Sequence, residues 1–105
     1  MSWIYLLIAG ALEIAWAYSM KRSDGFTRLI PSVITVVTMA ASFWLLAAAL
    51  RTIPLGTAYT IWTGIGAIGT FLIGIAFLAE PATAMRILAA TLIVSGLLLM
   101  KISSP

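Results

Sequence analysis

The sequence predicts an all-α membrane protein, a bundle of four transmembrane helices, on three observations. Hydrophobic residues make up 63% of its 105 positions and charged residues only 9%, with a mean hydropathy of +1.16, whereas a soluble domain is about one quarter charged. The apolar residues fall into four runs, 2–20, 29–50, 55–78 and 83–100, each close to the about 20 residues that a helix needs to cross the hydrocarbon of a bilayer. The basic residues, Lys21, Arg22, Arg28, Arg51, Arg86 and Lys101, all stand near the ends of these runs, where long side chains reach the membrane interface. These runs and their short links fill 1–105 as a single membrane domain.

The first run opens on Met-Ser-Trp-Ile-Tyr. No basic residue precedes it and no small-residue cleavage pattern ends it, so it is expected to remain as a helix rather than act as a signal peptide. Trp3 and Tyr5, near its end, fit an interfacial aromatic belt. Its middle reads Ala-Leu-Glu-Ile-Ala-Trp-Ala, and Glu13 lies about 12 Å along the helix from Lys21, near the bilayer midplane. A charge at that depth costs a few kcal/mol, so intramembrane acids mark ion or proton sites unless they are protonated carboxyls gluing helices together. Trp16 and Gly10 lie one turn to either side on the same face, so that face offers an indole N–H and a gap beside the carboxylate.

The second run carries Ser42, which either lines a site or bonds back to the carbonyl four residues earlier. In the third, Tyr59 and Trp62 are three apart and share a face. Their rings can hold a cation and their polar hydrogens can reach a carboxylate; plain core packing is the alternative. The segment Gly-Ile-Gly-Ala-Ile-Gly from Gly64 to Gly69 matches the dinucleotide fingerprint only formally, since no strand precedes it and the membrane surrounds it. Gly64 and Gly66 are instead expected to permit a kink or a close helix contact, which gives the third helix a hinge. In the fourth run Ala89 and Gly96 lie seven residues apart on one face, where small side chains admit another helix from the same chain or a second copy. Glu80, before Pro81, reads as a loop charge, and Lys101 as a snorkelling helix end.

The chain has no cysteine and no histidine, and its acids are Glu13, Asp24 and Glu80 alone. Disulfides, thiolate or imidazole catalysis and the usual zinc and haem ligands are therefore excluded, and no metal, cofactor or enzymatic activity is expected. The net charge of +3 is spread over helix ends and does not point to nucleic acid. With short links the helices alternate in direction, so Lys21, Arg22, Arg28 and Arg86 share one side and Arg51 and Lys101 the other. That bias is weak as an orientation signal; insertion in both orientations, with head-to-tail pairing, is compatible with it, and a single orientation with both termini outside is the alternative. Four helices alone barely enclose a polar cavity, which points to an oligomer.

These residues together resemble the small multidrug resistance family, and within it the guanidinium-exporter branch. The resemblance spans the whole chain: Met1-Ser-Trp-Ile4, Glu13-Ile-Ala-Trp16, Gly25-Phe-Thr-Arg-Leu-Ile-Pro31, Ser42, Pro54 to Ala67 with Tyr59 and Trp62, Glu80-Pro81, Arg86 and Lys101. Thr60 departs from it, since Ala is more usual there, which bears on selectivity. The resemblance implies an antiparallel, dual-topology homodimer in the bacterial inner membrane that exchanges protons for guanidinium or small guanidinyl cations. It implies that Glu13 binds both proton and substrate, that Gly10, Trp16, Ser42, Tyr59 and Trp62 line the site, and that Gly64 and Gly66 form the hinge. Export of quaternary ammonium ions by the multidrug branch, and a non-transporting assembly protein, are the alternatives.

Overall fold

The computed structural model describes residues 1–103. Four helices follow one another: α1 (Ser2–Arg22), α2 (Leu29–Ala49), α3 (Leu55–Phe77) and α4 (Ala84–Ser103). All four are long and apolar enough to cross a membrane, which makes this a multi-pass membrane protein. The apolar runs set the helices and the turn-forming links end them. α1 continues two residues past Met20 and α4 three past Met100, because Lys21, Arg22 and Lys101 are good helix formers that carry favourable positive charge into a final turn. α2 and α3 each stop one residue earlier than their apolar runs.

The helices form a layer rather than a closed barrel. α1 packs along α2 and α3, whereas α4 approaches the rest through α3. The molecule measures 43 × 35 × 16 Å, and its short dimension is little more than one helix diameter of about 10–12 Å. The buried apolar core is accordingly small: Leu6 and Ala9 on α1, Ala49 on α2, Ile53, and Ala58, Ile61 and Trp62 on α3. Among the described residues none of α4 is buried.

The ends of the layer are tied by polar contacts. At one end the Ser2 and Thr52 hydroxyls bond each other, and the Lys101 ammonium lies 4.1 Å from the centroid of the Trp3 ring, a cation–π contact between α4 and α1. At the other, Ser23 organises the α1–α2 turn: its hydroxyl donates to the Met20 carbonyl at 2.6 Å and accepts from the Phe26 amide at 3.0 Å. That turn passes through left-handed backbone at Asp24, Gly25 and Phe26, a conformation that costs glycine least.

Close approach of α1 to α3 depends on the absence of side chains. A Cβ built on Gly10 falls 2.6 Å from Ile65 Cγ2 and 2.9 Å from Ile65 Cβ, atoms of a stiff, branched side chain. Gly10→Ala should therefore destabilise the fold by about 1–3 kcal/mol, and Ile65→Ala in the same chain should recover part of that loss. Gly56→Ala, which meets nothing within 4 Å, should be neutral or slightly stabilising. Denaturation in mild detergent, followed by circular dichroism, measures all three.

Candidate functional site

α1 presents Glu13 toward α3. Its carboxyl lies directly against the backbone of Gly66, where any Cβ would overlap it, and one turn along the contact Gly69 receives Ile14 in the same way. The three-residue spacing of these two glycines puts both on the face that meets α1. Glu13 is partly buried, and its Oε1 is withdrawn from solvent without a hydrogen-bond partner in the chain. Trp16 Nε1, one turn away, is in the same condition. These are the two buried side-chain polar atoms without partners among the described residues.

Ser42 is fully buried on α2 and joins three helices. Its hydroxyl donates to the Ala9 carbonyl of α1 at 2.7 Å and accepts the Trp62 indole N–H of α3 at 3.0 Å. The back-bond to its own helix, open on the sequence, is replaced by this bond to α1. The indole of Trp62, anticipated as a donor to the carboxylate, is committed to Ser42 instead. Four rings continue from there in a row: Trp16 meets Phe43 edge-on with centroids 6.4 Å apart, Phe43 meets Trp62 at 5.6 Å, and Trp62 meets Tyr59 at 5.6 Å. Phe43 was not anticipated; it adjoins Ser42 in sequence, and only packing reveals that its ring links the two tryptophans.

The remaining anticipated residues separate from this cluster. Gly10 is filled against by Ile65 and closes space beside the site rather than opening a gap. α3 runs unbroken through Gly64 and Gly66, with Leu97 of α4 seated on the first and Glu13 on the second; in this conformation both serve close packing. Gly96 has nothing within 4 Å of its Cβ direction, and Ala89 is exposed on the same helix. Gly96 helps to line an apolar groove of about 490 Å³ between α3 and α4, together with Tyr59, Thr60, Gly64 and Ile93. Among the described residues no group of three potential ligands converges to hold a metal.

A four-helix membrane layer with an unpartnered carboxyl and an aromatic row inside it defines a small polytopic membrane protein. The chain matches the family of the Small Multidrug Resistance protein over residues 1–93, and it belongs to that family. It is 54% identical over 104 residues to a guanidinium exporter of Yersinia pseudotuberculosis, covering 99% of this chain and 100% of that one. It is 52% identical over 104 residues to guanidinium exporters of Citrobacter freundii and Salmonella typhimurium, covering 99% of each chain.

Replacing Ser42 by Ala strips a donor from the Ala9 carbonyl and an acceptor from the Trp62 indole. The expected cost is about 1–3 kcal/mol of stability, with a changed indole N–H resonance for Trp62 and little change for Trp3 or Trp44; detergent denaturation and ¹⁵N NMR read these effects.

Proposed function

We propose that this chain exports guanidinium and small guanidinyl cations across the bacterial inner membrane in exchange for protons, working as an antiparallel, dual-topology homodimer with a Glu13 from each copy facing one cavity. The observation that carries this reading is the Glu13 carboxyl, held at the α1–α3 contact with Oε1 buried and unpartnered. An intramembrane carboxyl without an internal partner is suited to an exchangeable one. The names of full-length relatives at 52–54% identity support guanidinium as that partner.

Guanidinium is planar, permanently charged under physiological conditions, and offers paired N–H donors that fit carboxylates side by side. Proton and cation compete for the same oxygens. If loaded forms reorient and the empty, charged form does not, each crossing exchanges one species for the other, with about two protons released per cation by charge count. Trp16, with its free indole N–H, supplies a further hydrogen-bond donor that a carboxylate can accept. Ser42 and Trp62, locked to each other and to α1, keep the wall of the site fixed, so little side-chain freedom is lost on binding.

A layer only 16 Å deep, with α4 unburied and Ala89 and Gly96 open on it, supports pairing with a second copy through α4. Equivalent chains in opposite orientations make the two access states of the site interchangeable, and the hinge role of Gly64 and Gly66 belongs to that exchange.

In proteoliposomes on a solid-supported membrane, guanidinium should evoke proton-coupled currents that Glu13→Gln reduces at least about tenfold while the protein still assembles. Unchanged coupled currents in that variant would remove Glu13 from the mechanism. Currents with a bulky tetraalkylammonium and none with guanidinium would favour the multidrug alternative.

A further inference from the structure

The α3–α4 link already holds a guanidinium group. The guanidinium carbon of Arg86 lies 5.0 Å from the centroid of the Phe71 ring. Its Nη1 donates to the Pro81 carbonyl at 2.6 Å, and its Nη2 stands 3.8 Å from Glu80 Oε1. An aromatic face, a carbonyl and a carboxylate are the three groups that suit a planar cation with donors along its edge. The cradle is built rather than incidental. The Glu80 amide donates to the Gly74 carbonyl at 3.1 Å, and the Glu80 carboxyl rests against Gly74, where a Cβ would overlap it.

This cradle borders a cavity of about 400 Å³ lined by residues of α1, α3 and the α3–α4 link. Ala17 and Ala67 form part of its wall. Ala17 is one turn from Glu13, and Ala67 adjoins the Gly66 on which Glu13 rests. Glu80 is the one carboxylate lining the cavity, and Lys21 and Arg86 are the basic residues on its wall, so a cation gains attraction there only at Glu80, in competition with the Arg86 that already faces it.

We propose that Phe71, Glu80 and the Pro81 carbonyl form an outer guanidinium subsite at the mouth of the path to Glu13, which the side chain of Arg86 occupies and an incoming guanidinium ion displaces. The proposal rests on the export reading above and adds to it a selective entry station. The Arg86–Glu80 pair is suited to exchange: its side chains are 36% and 42% exposed and its oxygen–nitrogen distance exceeds hydrogen-bond length, and exposed pairs of this kind are weak. A tethered group competes at an effective concentration of order millimolar, so free guanidinium displaces it in that range. Displacement frees Arg86, the residue that ties the start of α4 to Phe71 on α3, and thereby couples substrate arrival to the α3–α4 joint.

The test uses the full-length Glu13→Gln protein in nanodiscs, whose main site is disabled, titrated with guanidinium chloride against sodium and choline chloride at matched ionic strength. NMR follows the Phe71 ring and the Arg86 Nε–H. A saturable, guanidinium-specific shift is expected. It should weaken about tenfold with Glu80→Gln. The Phe71 shift should tighten about threefold with Arg86→Lys, which retains the charge but loses the planar fork. Equal shifts with sodium or choline, or indifference to Glu80→Gln, overturn the subsite. Guanidinium currents in the wild-type protein without any titration at Phe71 overturn the subsite alone; absence of wild-type guanidinium currents overturns the export reading and the subsite with it.

Discussion

The contact between the Glu13 carboxyl and the bare backbone of Gly66 constrains most of what surrounds it. A carboxyl can be carried into an apolar layer only where a neighbouring helix leaves room for it, and glycine on α3 leaves that room. Once α1 and α3 are this close, Ile14 must find Gly69 and Ile65 must find Gly10. The interface is a set of side chains from each helix set into glycines of the other. It fixes the height of the carboxyl in the membrane without giving its buried oxygen a partner.

Several other hydroxyls are treated differently. Thr35, Thr38, Thr70, Thr91 and Ser95 return their hydroxyls to carbonyls of their own helices, the usual way to carry a hydroxyl through hydrocarbon. Ser42 and Trp62 satisfy each other across helices and engage the Ala9 carbonyl. Against that background, two unpartnered atoms one helical turn apart, Glu13 Oε1 and Trp16 Nε1, are a cost of order 1–3 kcal/mol each. A fold that pairs Ser42 so completely could have paired these as well. On the proposed reading, their location on one face of α1 leaves both free for an exchangeable ligand.

How much of this is legible in the sequence differs from residue to residue. The four helices follow from apolar runs punctuated by turn formers, because hydrocarbon forces every backbone group within such a run into helical hydrogen bonds. Glu13 is conspicuous for its depth and Trp16 for its spacing from it. The partners of Ser42 and Trp62 are not legible, because a hydroxyl has several possible acceptors and the choice belongs to the way three helices meet. Phe43 is hidden for a similar reason: neighbouring helical residues point about 100° apart, so a buried Ser42 says little about where the next ring lies. The glycines of the third helix announce special backbone but not its purpose. Flexibility and close packing ask for the same residue, and the close packing shows only in the facing side chains of Leu97, Glu13 and Ile14.

The flatness of the layer bears on how an ion can be held at all. A guanidinium ion carries donors around its whole edge, and in hydrocarbon each unsatisfied donor is costly. One chain supplies one carboxyl from one side of a layer 16 Å thick, and the Ser42 hydroxyl and the Trp62 indole are already bonded to each other and to α1. On the proposed reading, the acceptors for the opposite edge must come from another surface, and a second copy offers the same carboxyl in mirrored position without any new sequence. Pairing then has a chemical reason beyond the burial of α4. The cation needs two acceptor walls, each chain builds one, and opposite orientation places the two carboxyls at matching depth because Glu13 sits near the midpoint of its helix.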